Sequence, residues 1–407
     1  MIPVAEAIRI VRDQTLRLPP ETVSLEDALR RFLAQDIIAD SDLPPFDRSQ
    51  MDGYALRAAE TQQAIPEAPV RLRIVGESAA GVGWHSEMQA GQAVRIMTGA
   101  PVPVGADSVQ QVELTREQDG GSMVEILQPV PQGRSIVRRG SEIKAGEIVL
   151  RAGEHINAAM MAVLASFGYA ELQVGQRPRV AVLATGSELV PVKENPGRDQ
   201  IRDSNNYSIS AYADLAGALV QRLPLAGDDT TLLKSQFAMA AENADIVVSS
   251  GGVSMGVYDF TKTALKELGA EIFFERVSLR PGKPTVFARL PNGVLVFGLP
   301  GNPVSVSVTF NLFARTALLA MQGSREPAMK EESAVLARAV KGSIERESYL
   351  PSQIRTNEEG CLVAEPLKWG GSSDFVAFAQ TTALIIVPEG TKKLESGSTV
   401  KLVRLPG

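Results

Sequence analysis

The sequence predicts a multidomain chain built around an α/β domain with a doubly wound, mostly parallel sheet, together with smaller β-rich domains. Apolar runs of strand length alternate with helical patterns over residues 177–325, which is typical of a parallel sheet. Short alternating runs separated by glycine and proline turns dominate from about residue 60 to 140 within the segment 44–140, and short strand patterns return over 326–407. These patterns predict an inserted β-lobe and a small, barrel-like C-terminal β-domain. Residues 1–43 and 141–176 are left to form one mixed N-terminal domain.

Hydrophobic periodicity predicts the individual elements. Predicted helices cover residues 4–15, 25–34, 157–167, 206–218 and 232–244, a stretch opening near Asp259, and a long segment that ends at Met321. Predicted strands cover residues 179–184, 219–226, 245–250, 334–341, 361–365, 383–388 and 399–403. Ser24, with Asp27 three residues later, has the spacing of a capping box for the second helix.

Composition narrows the possible classes of function. The 407 residues carry a net charge of -6 and only 5% aromatic side chains, which argues against a nucleic-acid partner because phosphate binding needs clustered lysine and arginine. The single cysteine, Cys361, excludes an intrachain disulfide framework. With only His85 and His155 as histidines, a His/Cys zinc site is not expected. A reducing cytoplasm is therefore the expected setting.

No membrane segment is expected. The first residues alternate charged and apolar side chains at helical spacing and lack the apolar core of a signal peptide. The longest apolar candidate, residues 304–321, is interrupted by Asn311 and Arg315.

The stretch 245–265 has the pattern of a buried strand, a glycine turn and a helix. The strand ends at Ser250, Gly251 and Gly252 follow at once, and the helix opens near Asp259. Peptide N–H groups in such a turn can approach an anion closely, so this is the usual place for a phosphate-bearing ligand. The alternative is that the stretch is only a tight turn.

Acidic side chains follow several strands of the same predicted sheet. Glu188 follows the first strand, Asp228 and Asp229 the second, and Asp259 the third. Parallel strands with right-handed crossovers would bring these carboxylates to one edge, although Asp259 alone could be a helix cap. Two unit charges about 4 Å apart repel by about 4 kcal/mol at an effective dielectric near 20. A phosphate ligand beside the carboxylates therefore predicts Mg²⁺ between them.

Two further turns of this domain suit an oxyanion. Residues 279–284 place Arg280 and Lys283 on a stiff proline-glycine turn, and residues 297–305 form another strand-to-helix turn. For the second turn, the alternative is a structural turn with Pro303 at the first helical position.

Outside this domain, three polar segments are candidates for function. The loop 40–54 carries Asp52 and is either a functional loop or a linker turn. Thr98 is a strand-end hydroxyl or a backbone cap, and Arg139 belongs to an arginine pair that binds an anion or is solvated. The turn 370–374 either reaches the crevice or is exposed.

Taken together, the motifs resemble one family. PPFDRSQMDGYA, MTGAPVP, ATGSEL, SSGGVSMGVYDF, RPGKP and GLPGNPVS occur in the order found in the molybdopterin molybdenumtransferases, which resemble the E domain of gephyrin. The resemblance implies an elongated homodimer of four-domain subunits, with a site between the α/β domain of one subunit and the β-lobe of the other. It implies transfer of molybdenum from molybdate to adenylylated molybdopterin with release of AMP.

The resemblance also implies roles for individual residues. Those implied to act in catalysis are Asp52, Glu188, Asp228, Asp259 and Lys283, and Mg²⁺ would be held by Glu188, Asp228 and Asp259. Those implied to bind substrate are Thr98, Arg139, Ser250, Gly251, Gly252, Ser254, Arg280, Pro300, Gly301, Asn302, Ser305 and Ser373. A molybdopterin adenylyltransferase is a candidate partner protein.

The sequence departs from the family pattern in places. Ser187 stands where many relatives have an acid, and Arg280 where many have lysine. Tyr349-Leu350 is followed by Pro351, where many relatives have arginine, and Arg355 is the candidate replacement. A non-catalytic molybdopterin-binding or scaffolding homologue is the alternative function, and the sequence does not distinguish molybdate from tungstate as the preferred oxyanion.

Overall fold

The computed structural model describes residues 1–227, 229–253 and 260–406. The chain divides into two compact units. The larger contains Met1–Gln35, Ala152–Met161 and Glu171–Gly407, and the smaller contains Asp36–Arg151 and Ala162–Ala170. The division makes the smaller unit largely an insertion into the larger one. The domain bounds drawn from the sequence stay a prediction.

The described elements are numbered in chain order. The helices are α1 (Val4–Gln14), α2 (Ala158–Ser166), α3 (Asn205–Leu215), α4 (Thr230–Asn243), α5 (Phe260–Glu267), α6 (Pro303–Thr309), α7 (Arg315–Met321) and α8 (Phe375–Phe378). The strands are β1 (Pro20–Ser24), β2 (Ile37–Ile38), β3 (Arg48–Ser49), β4 (Gly53–Leu56), β5 (Val70–Ser78), β6 (Gln92–Ile96), β7 (Ser108–Gln111), β8 (Thr115–Gln118), β9 (Met123–Ile126), β10 (Ile136–Val137), β11 (Ile148–Leu150), β12 (Glu171–Gly175), β13 (Arg179–Ala184), β14 (Leu189–Val190), β15 (Ile201–Arg202), β16 (Leu219–Arg222), β17 (Ile246–Ser250), β18 (Glu271–Phe274), β19 (Leu279–Arg280), β20 (Val286–Arg289), β21 (Leu295–Leu299), β22 (Glu331–Leu336), β23 (Val340–Lys341), β24 (Glu347–Thr356), β25 (Leu362–Pro366), β26 (Ala383–Val387), β27 (Lys393–Leu394) and β28 (Thr399–Arg404).

The α/β domain has the predicted doubly wound, mostly parallel sheet. Its strand order is β16-β13-β17-β21-β20-β18. The first four strands run parallel, and β20 and β18 are antiparallel additions at one edge. Helices α1, α3, α6 and α7 pack on one face through a core that includes Val248 and Phe297. Helices α4 and α5 cover the other face through Val247 and Leu265. The fold class predicted from the alternating pattern is confirmed.

The long predicted helix that ends at Met321 is three segments in line. A π-helical turn, Phe310–Ala314, joins α6 to α7, and Pro303 lies in the first turn of α6 as expected. The stretch Pro303–Met321 is long and apolar enough to span a membrane by composition, but 89% of its most apolar window is buried within the protein. Such burial is typical of a core helix.

The helix predicted over residues 25–34 is wrong. Only Leu25–Asp27 is helical, as one short 3₁₀ turn, and the chain before it forms β1, which pairs with β12 along its whole length. Ser24 donates its hydroxyl to the carboxylate of Asp27 (3.0 Å) rather than accepting from a helix N–H. The pattern resembled a capping box because that motif needs the same two side chains at the same spacing.

The C-terminal domain is a closed five-stranded barrel. Its strands follow the order β24-β25-β22-β28-β26, and pairing between β24 and β26 closes the ring. Buried side chains such as Leu350, Ile385 and Leu402 fill the interior. Sequence reasoning missed β24 because it contains Pro351, which usually excludes a strand, and it merged β22 and β23 into one element.

The smaller unit is rich in β-structure, as the short alternating runs predict. Its main sheet has the order β7-β4-β6-β5-β9-β8, in which β5 and β6 are parallel and the other pairs are antiparallel. Buried residues including Tyr54, Leu72 and Ile126 pack on one face of this sheet.

Candidate functional site

The carboxyl ends of β13, β17 and β21 meet at one edge of the parallel sheet. The amide of Thr185 donates to the Ser250 carbonyl (2.9 Å), and the amide of Gly251 donates to the Leu299 carbonyl (3.1 Å). A cavity of about 860 Å³, here called the strand-edge cavity, opens at these strand ends. Its lining includes the predicted residues Glu188, Ser250, Gly251, Gly252, Pro300, Gly301, Asn302 and Ser373.

The turn after β17 needs glycine for two reasons. Gly251 and Gly252 have φ values of 88° and 64°, which L-residues rarely adopt. A Cβ on Gly251 would also lie 2.2 Å from the Thr185 carbonyl oxygen. Because the Gly251 amide already binds Leu299, this N–H is not available to a ligand. We therefore attribute to Gly251 the role of bringing two strand ends together.

The carboxylates predicted at this edge are only partly described. Glu188 lines the cavity, and its Oε2 packs against Gly186, where an added Cβ would lie 2.6 Å away. Asp229 is the N-cap of α4, since its Oδ1 accepts from the Leu232 amide (2.9 Å). Asp228 and Asp259, like Ser254, lie outside the described residues. Within the described ranges, no group of three or more His, Cys, Asp or Glu side chains is placed to hold a metal ion.

Unpaired polar atoms lie beside the strand-edge cavity. The hydroxyl of Ser250 and the Oδ1 of Asn205, both on the cavity lining, are buried and have no hydrogen-bond partner within the described part of the chain. The Nδ2 of Asn205 donates to the Gly301 carbonyl (2.7 Å). Sequence reasoning missed Asn205, although it follows an Arg-Asp-Ser run at the start of α3, a polar run that could have indicated a strand-end site.

A second cavity of about 770 Å³ adjoins the first and is called the cationic cavity. The two share Pro284, Pro300 and Asn302. None of the described residues that line it is acidic, whereas its basic lining residues are Arg280, Lys283, Arg338, Lys341, Arg346 and Lys368. The first two were predicted, and so was Ser305, which also lines this cavity and is 4% exposed.

The remaining cations of this cavity come from the C-terminal barrel and were missed. Arg338 is paired with Glu365 (2.7 Å), but the Nε of Arg346 is buried with no partner among the described residues. Arg355, the replacement suggested by the sequence, does not line the cavity. Arg346 precedes β24, and the pairing of Glu347 with Leu279 on β19 brings it to the turn that carries Lys283. Lys368 follows β25, which pairs with β24.

The turn 370–374 is fastened to the start of α6. The amide of Val304 donates to the Ser372 carbonyl (3.1 Å), and the Nδ2 of Asn302 donates to the Ser372 hydroxyl (2.9 Å). The hydroxyl of Ser373 donates to the Oδ1 of Asn302 (3.3 Å). This turn therefore reaches the crevice, with Ser372 on the cationic cavity and Ser373 on the strand-edge cavity.

In the smaller unit, Asp52 and Thr98 are brought together. The amide and hydroxyl of Thr98 donate to the same Asp52 oxygen at 2.7 and 2.8 Å. These two bonds, the amide bond first, hold the pKa of Asp52 below its ordinary value. Arg139 is paired with Asp42 (2.6 Å), so its Nε is already engaged.

Comparison with protein-family models covers nearly the whole chain. Residues 2–168 match the MoeA N-terminal region (domain I and II), residues 181–320 match a probable molybdopterin binding domain, and residues 333–405 match the MoeA C-terminal region (domain IV).

Individual proteins match over the same length. The molybdopterin molybdenumtransferase of Bacillus subtilis (strain 168) is 36% identical over 99% of this chain and 94% of its own length. That of Haemophilus influenzae (strain Rd) is 34% identical over 96% of this chain and 95% of its own length. A crystal structure of the molybdopterin biosynthesis moeA protein from Pyrococcus horikoshii OT3 covers 100% of both chains with a TM-score of 0.85 at 28% identity.

The parallel sheet, the closed barrel and the adjoining cavities thus define a multidomain protein of the MoeA type. More specifically, the chain belongs to the molybdopterin molybdenumtransferase family.

Proposed function

We propose that this protein transfers molybdenum from molybdate into adenylylated molybdopterin. In the proposed reaction water cleaves the phosphoanhydride bond and AMP leaves, while the two dithiolene thiols bind molybdenum and their protons leave with an oxo ligand of molybdate as water. The family's place in molybdenum cofactor biosynthesis supports this assignment. The single observation that carries it is the juxtaposition of a cavity lined by six cations with a cavity at the strand ends.

The cationic cavity is suited to a tetrahedral oxyanion. Guanidinium and ammonium groups donate charge-assisted hydrogen bonds, which are shorter and stronger than neutral ones. Lys283 and the unpaired Nε of Arg346 would hold molybdate, with the buried hydroxyl of Ser305 as a third donor. No described carboxylate lines this cavity to compete with the oxyanion for these donors.

The strand-edge cavity is suited to the nucleotide end of the substrate. Its glycine turn allows close approach of a pyrophosphate, and the orphan oxygens of Ser250 and Asn205 are free to take part in hydrogen bonds. Pro300 and Asn302 belong to both cavities, so they would lie where the two substrates meet.

Magnesium remains part of the proposal. Glu188 lies at the carboxyl ends of the parallel strands and provides the hard oxygen ligand that Mg²⁺ prefers. Asp228 and Asp259 would complete the set of ligands. When bound, the ion would neutralise charge on the pyrophosphate. The described residues contain only one member of this set, so the fit rests on the donor type of Glu188 and on the sequence positions of the two aspartates.

We further propose that the active form is a homodimer in the cytoplasm, in which Asp52 and Thr98 of a second copy complete the site. The motif order of the sequence supports this assignment. Arg139 would act there in substrate binding only if the ligand displaced Asp42.

The test is AMP release from adenylylated molybdopterin in the presence of molybdate and magnesium. We expect release by the wild type and a drop of at least about 100-fold in Asp52→Ala and Asp259→Ala, because charge positioning is the main catalytic contribution. Tight binding of molybdopterin without AMP release would instead establish the scaffolding alternative. Repeating the assay with tungstate measures oxyanion preference.

A further inference from the structure

A third cavity, of about 1600 Å³, lies in the larger unit away from both candidate substrate cavities. We call it the arginine cleft because five guanidinium groups line it, those of Arg30, Arg31, Arg177, Arg315 and Arg325. Arg315 lies ten residues beyond Ser305 on one continuous helical stretch, which is roughly 15 Å along the axis. The cleft is therefore separate from the cationic cavity.

Arg315 is the unusual member of this group. It is the only charged residue in the core stretch Pro303–Met321 and is partly buried. Desolvation alone lowers the pKa of Arg315, without any opposing hydrogen bond or ion pair from the described residues. A buried charge without a partner is costly, so the protein tolerates Arg315 here at the expense of stability.

The backbone around the cleft is also irregular. Arg315 immediately follows the π-helical turn Phe310–Ala314, and π-turns inside helices are frequent at functional sites because they re-aim the next side chain. Across the cleft, Arg30 has a φ of 65°, which is uncommon for a residue with a side chain. Strained backbone of this kind clusters at ligand sites.

The groups around Arg315 do not provide a hydrogen-bond acceptor for its guanidinium among the described residues. The Nε of Arg31 is buried and unpaired among the described residues, although its Nη2 binds Glu21 and the Gly175 carbonyl. Arg177 is held by the Gly217 carbonyl (2.8 Å). Four carboxylates also line the cleft, namely Asp27, Glu154, Asp214 and Glu326, yet none is paired with Arg315 in the described contacts.

We propose that the arginine cleft is an anion-binding site in which the phosphate or carboxylate group of a small ligand pairs with the guanidinium of Arg315. The planar guanidinium fork matches either group in a bidentate arrangement. The mixed charges of the rim favour a ligand that carries hydrogen-bond donors beside its anionic group.

His155 provides a local probe of the cleft. Its ring packs on Phe32, with 4.9 Å between centroids. Desolvation lowers the pKa of His155, a hydrogen bond to the Arg30 backbone opposes the shift, and the charges of Arg30 and Arg315 lower it further. An anion on Arg315 would weaken that repulsion and raise the pKa of His155. The only other histidine, His85, belongs to the smaller unit and serves as an internal control.

The experiment is a histidine NMR titration of the full-length protein with pyrophosphate or citrate as the probe. Pyrophosphate tests whether the cleft binds a phosphate group, and citrate tests whether it binds a carboxylate group. We expect a rise on the order of half a pH unit in the pKa of His155 with one of them, because of the lost repulsion, and no change at His85. Arg315→Met should abolish this response, whereas the exposed surface variant Arg73→Met should keep it.

Arg315→Lys retains the positive charge but not the planar guanidinium fork. It should bind the active probe, pyrophosphate or citrate, about tenfold more weakly, which corresponds to the loss of one charge-assisted hydrogen bond. An unchanged His155 in the wild type at saturating pyrophosphate and citrate would overturn the proposal, as would an equal response in Arg315→Met. A pKa of His155 that follows protein concentration rather than added anion would place a second copy of the chain in the cleft and would also overturn it.

Discussion

The strand-edge cavity and the cationic cavity are neighbours built in different ways. The first is shaped by backbone at the ends of parallel strands, where Gly251 and the Thr185 carbonyl approach too closely for any side chain. The second is shaped by long cationic side chains from two domains, which surround Lys283. The comparison predicts that the first cavity binds its ligand by shape and the second by charge, so that substitutions will affect the two cavities differently.

The positive charge of the cationic cavity contrasts with the net negative charge of the whole chain. The chain as a whole carries a net charge of -6, yet the described lining of the cationic cavity has six basic residues and no acidic one. This local excess of positive charge fits the anionic substrate proposed for the cavity. The adjoining cavity has Glu188 on its lining, so cation-dependent and anion-binding chemistry can lie side by side without neutralising each other.

The largest expected effect tests the role of shape. Gly251→Ala should lower the free energy of unfolding of the α/β domain by roughly 2–4 kcal/mol, since it combines a left-handed backbone with a clash against Thr185. Urea unfolding measures the change. Gly227→Ala is the matched control, because an added Cβ there meets nothing within 4 Å, and we expect it to be within about 0.5 kcal/mol of wild type. Equal stability of the two variants would contradict the shape argument.

The next effect tests the carboxylate of Glu188 on the lining of the strand-edge cavity. Glu188→Gln removes a charge but little volume, so AMP release should fall by about 100-fold while the unfolding midpoint is unchanged, because Glu188 is exposed. Glu194→Gln, which is exposed, follows β14 and lies outside the lining, should behave as wild type. Full activity of Glu188→Gln would remove this residue from the proposed magnesium set.

A smaller effect tests the cavity-lining cations that the C-terminal domain contributes and that sequence patterns did not predict. Arg346→Gln should raise the apparent KM for molybdate by about tenfold, since a charge-assisted hydrogen bond contributes roughly 1.5–3 kcal/mol. Arg355→Gln, on β24 but outside the cavity lining, should leave this KM unchanged. If the two variants exchanged these results, the sequence-based choice of Arg355 would be correct and the cavity assignment wrong.

The smallest effect concerns Asp52 in the smaller unit. Thr98→Val removes the hydroxyl bond and keeps the amide bond, so the pKa of Asp52 should rise partway toward its ordinary value. Because the folded-state pKa is depressed, the associated stabilisation is present above the unfolded pKa near 3.8 and is lost as pH falls through the folded value. Carboxyl NMR titration measures the shift. Thr115→Val, whose hydroxyl bonds a carbonyl instead, should leave Asp52 unaffected.

The contrast also explains what could be predicted from sequence. The strand-edge cavity follows from local patterns, because a buried strand followed by Gly251-Gly252 predicts both the turn and its edge of the sheet. The cationic cavity does not, because Arg346 reaches the turn of Lys283 through the pairing of β24 with β19, and Lys368 through the pairing of β25 with β24. Pro351 hides β24 from sequence-based prediction. Asn205 was missed because the polar run before it indicates only a strand-end position, whereas its buried, unpaired oxygen becomes visible in the folded structure.

The most direct test of the account is the binding of two ligands to one variant. Lys283→Gln is titrated with molybdate and, separately, with AMP, with the exposed Lys193→Gln as control. The account predicts that Lys283→Gln loses about tenfold or more in molybdate affinity while AMP affinity stays within about twofold of wild type. Loss of both affinities together, or retention of both, would contradict the division into a cavity that acts by charge and a cavity that acts by shape.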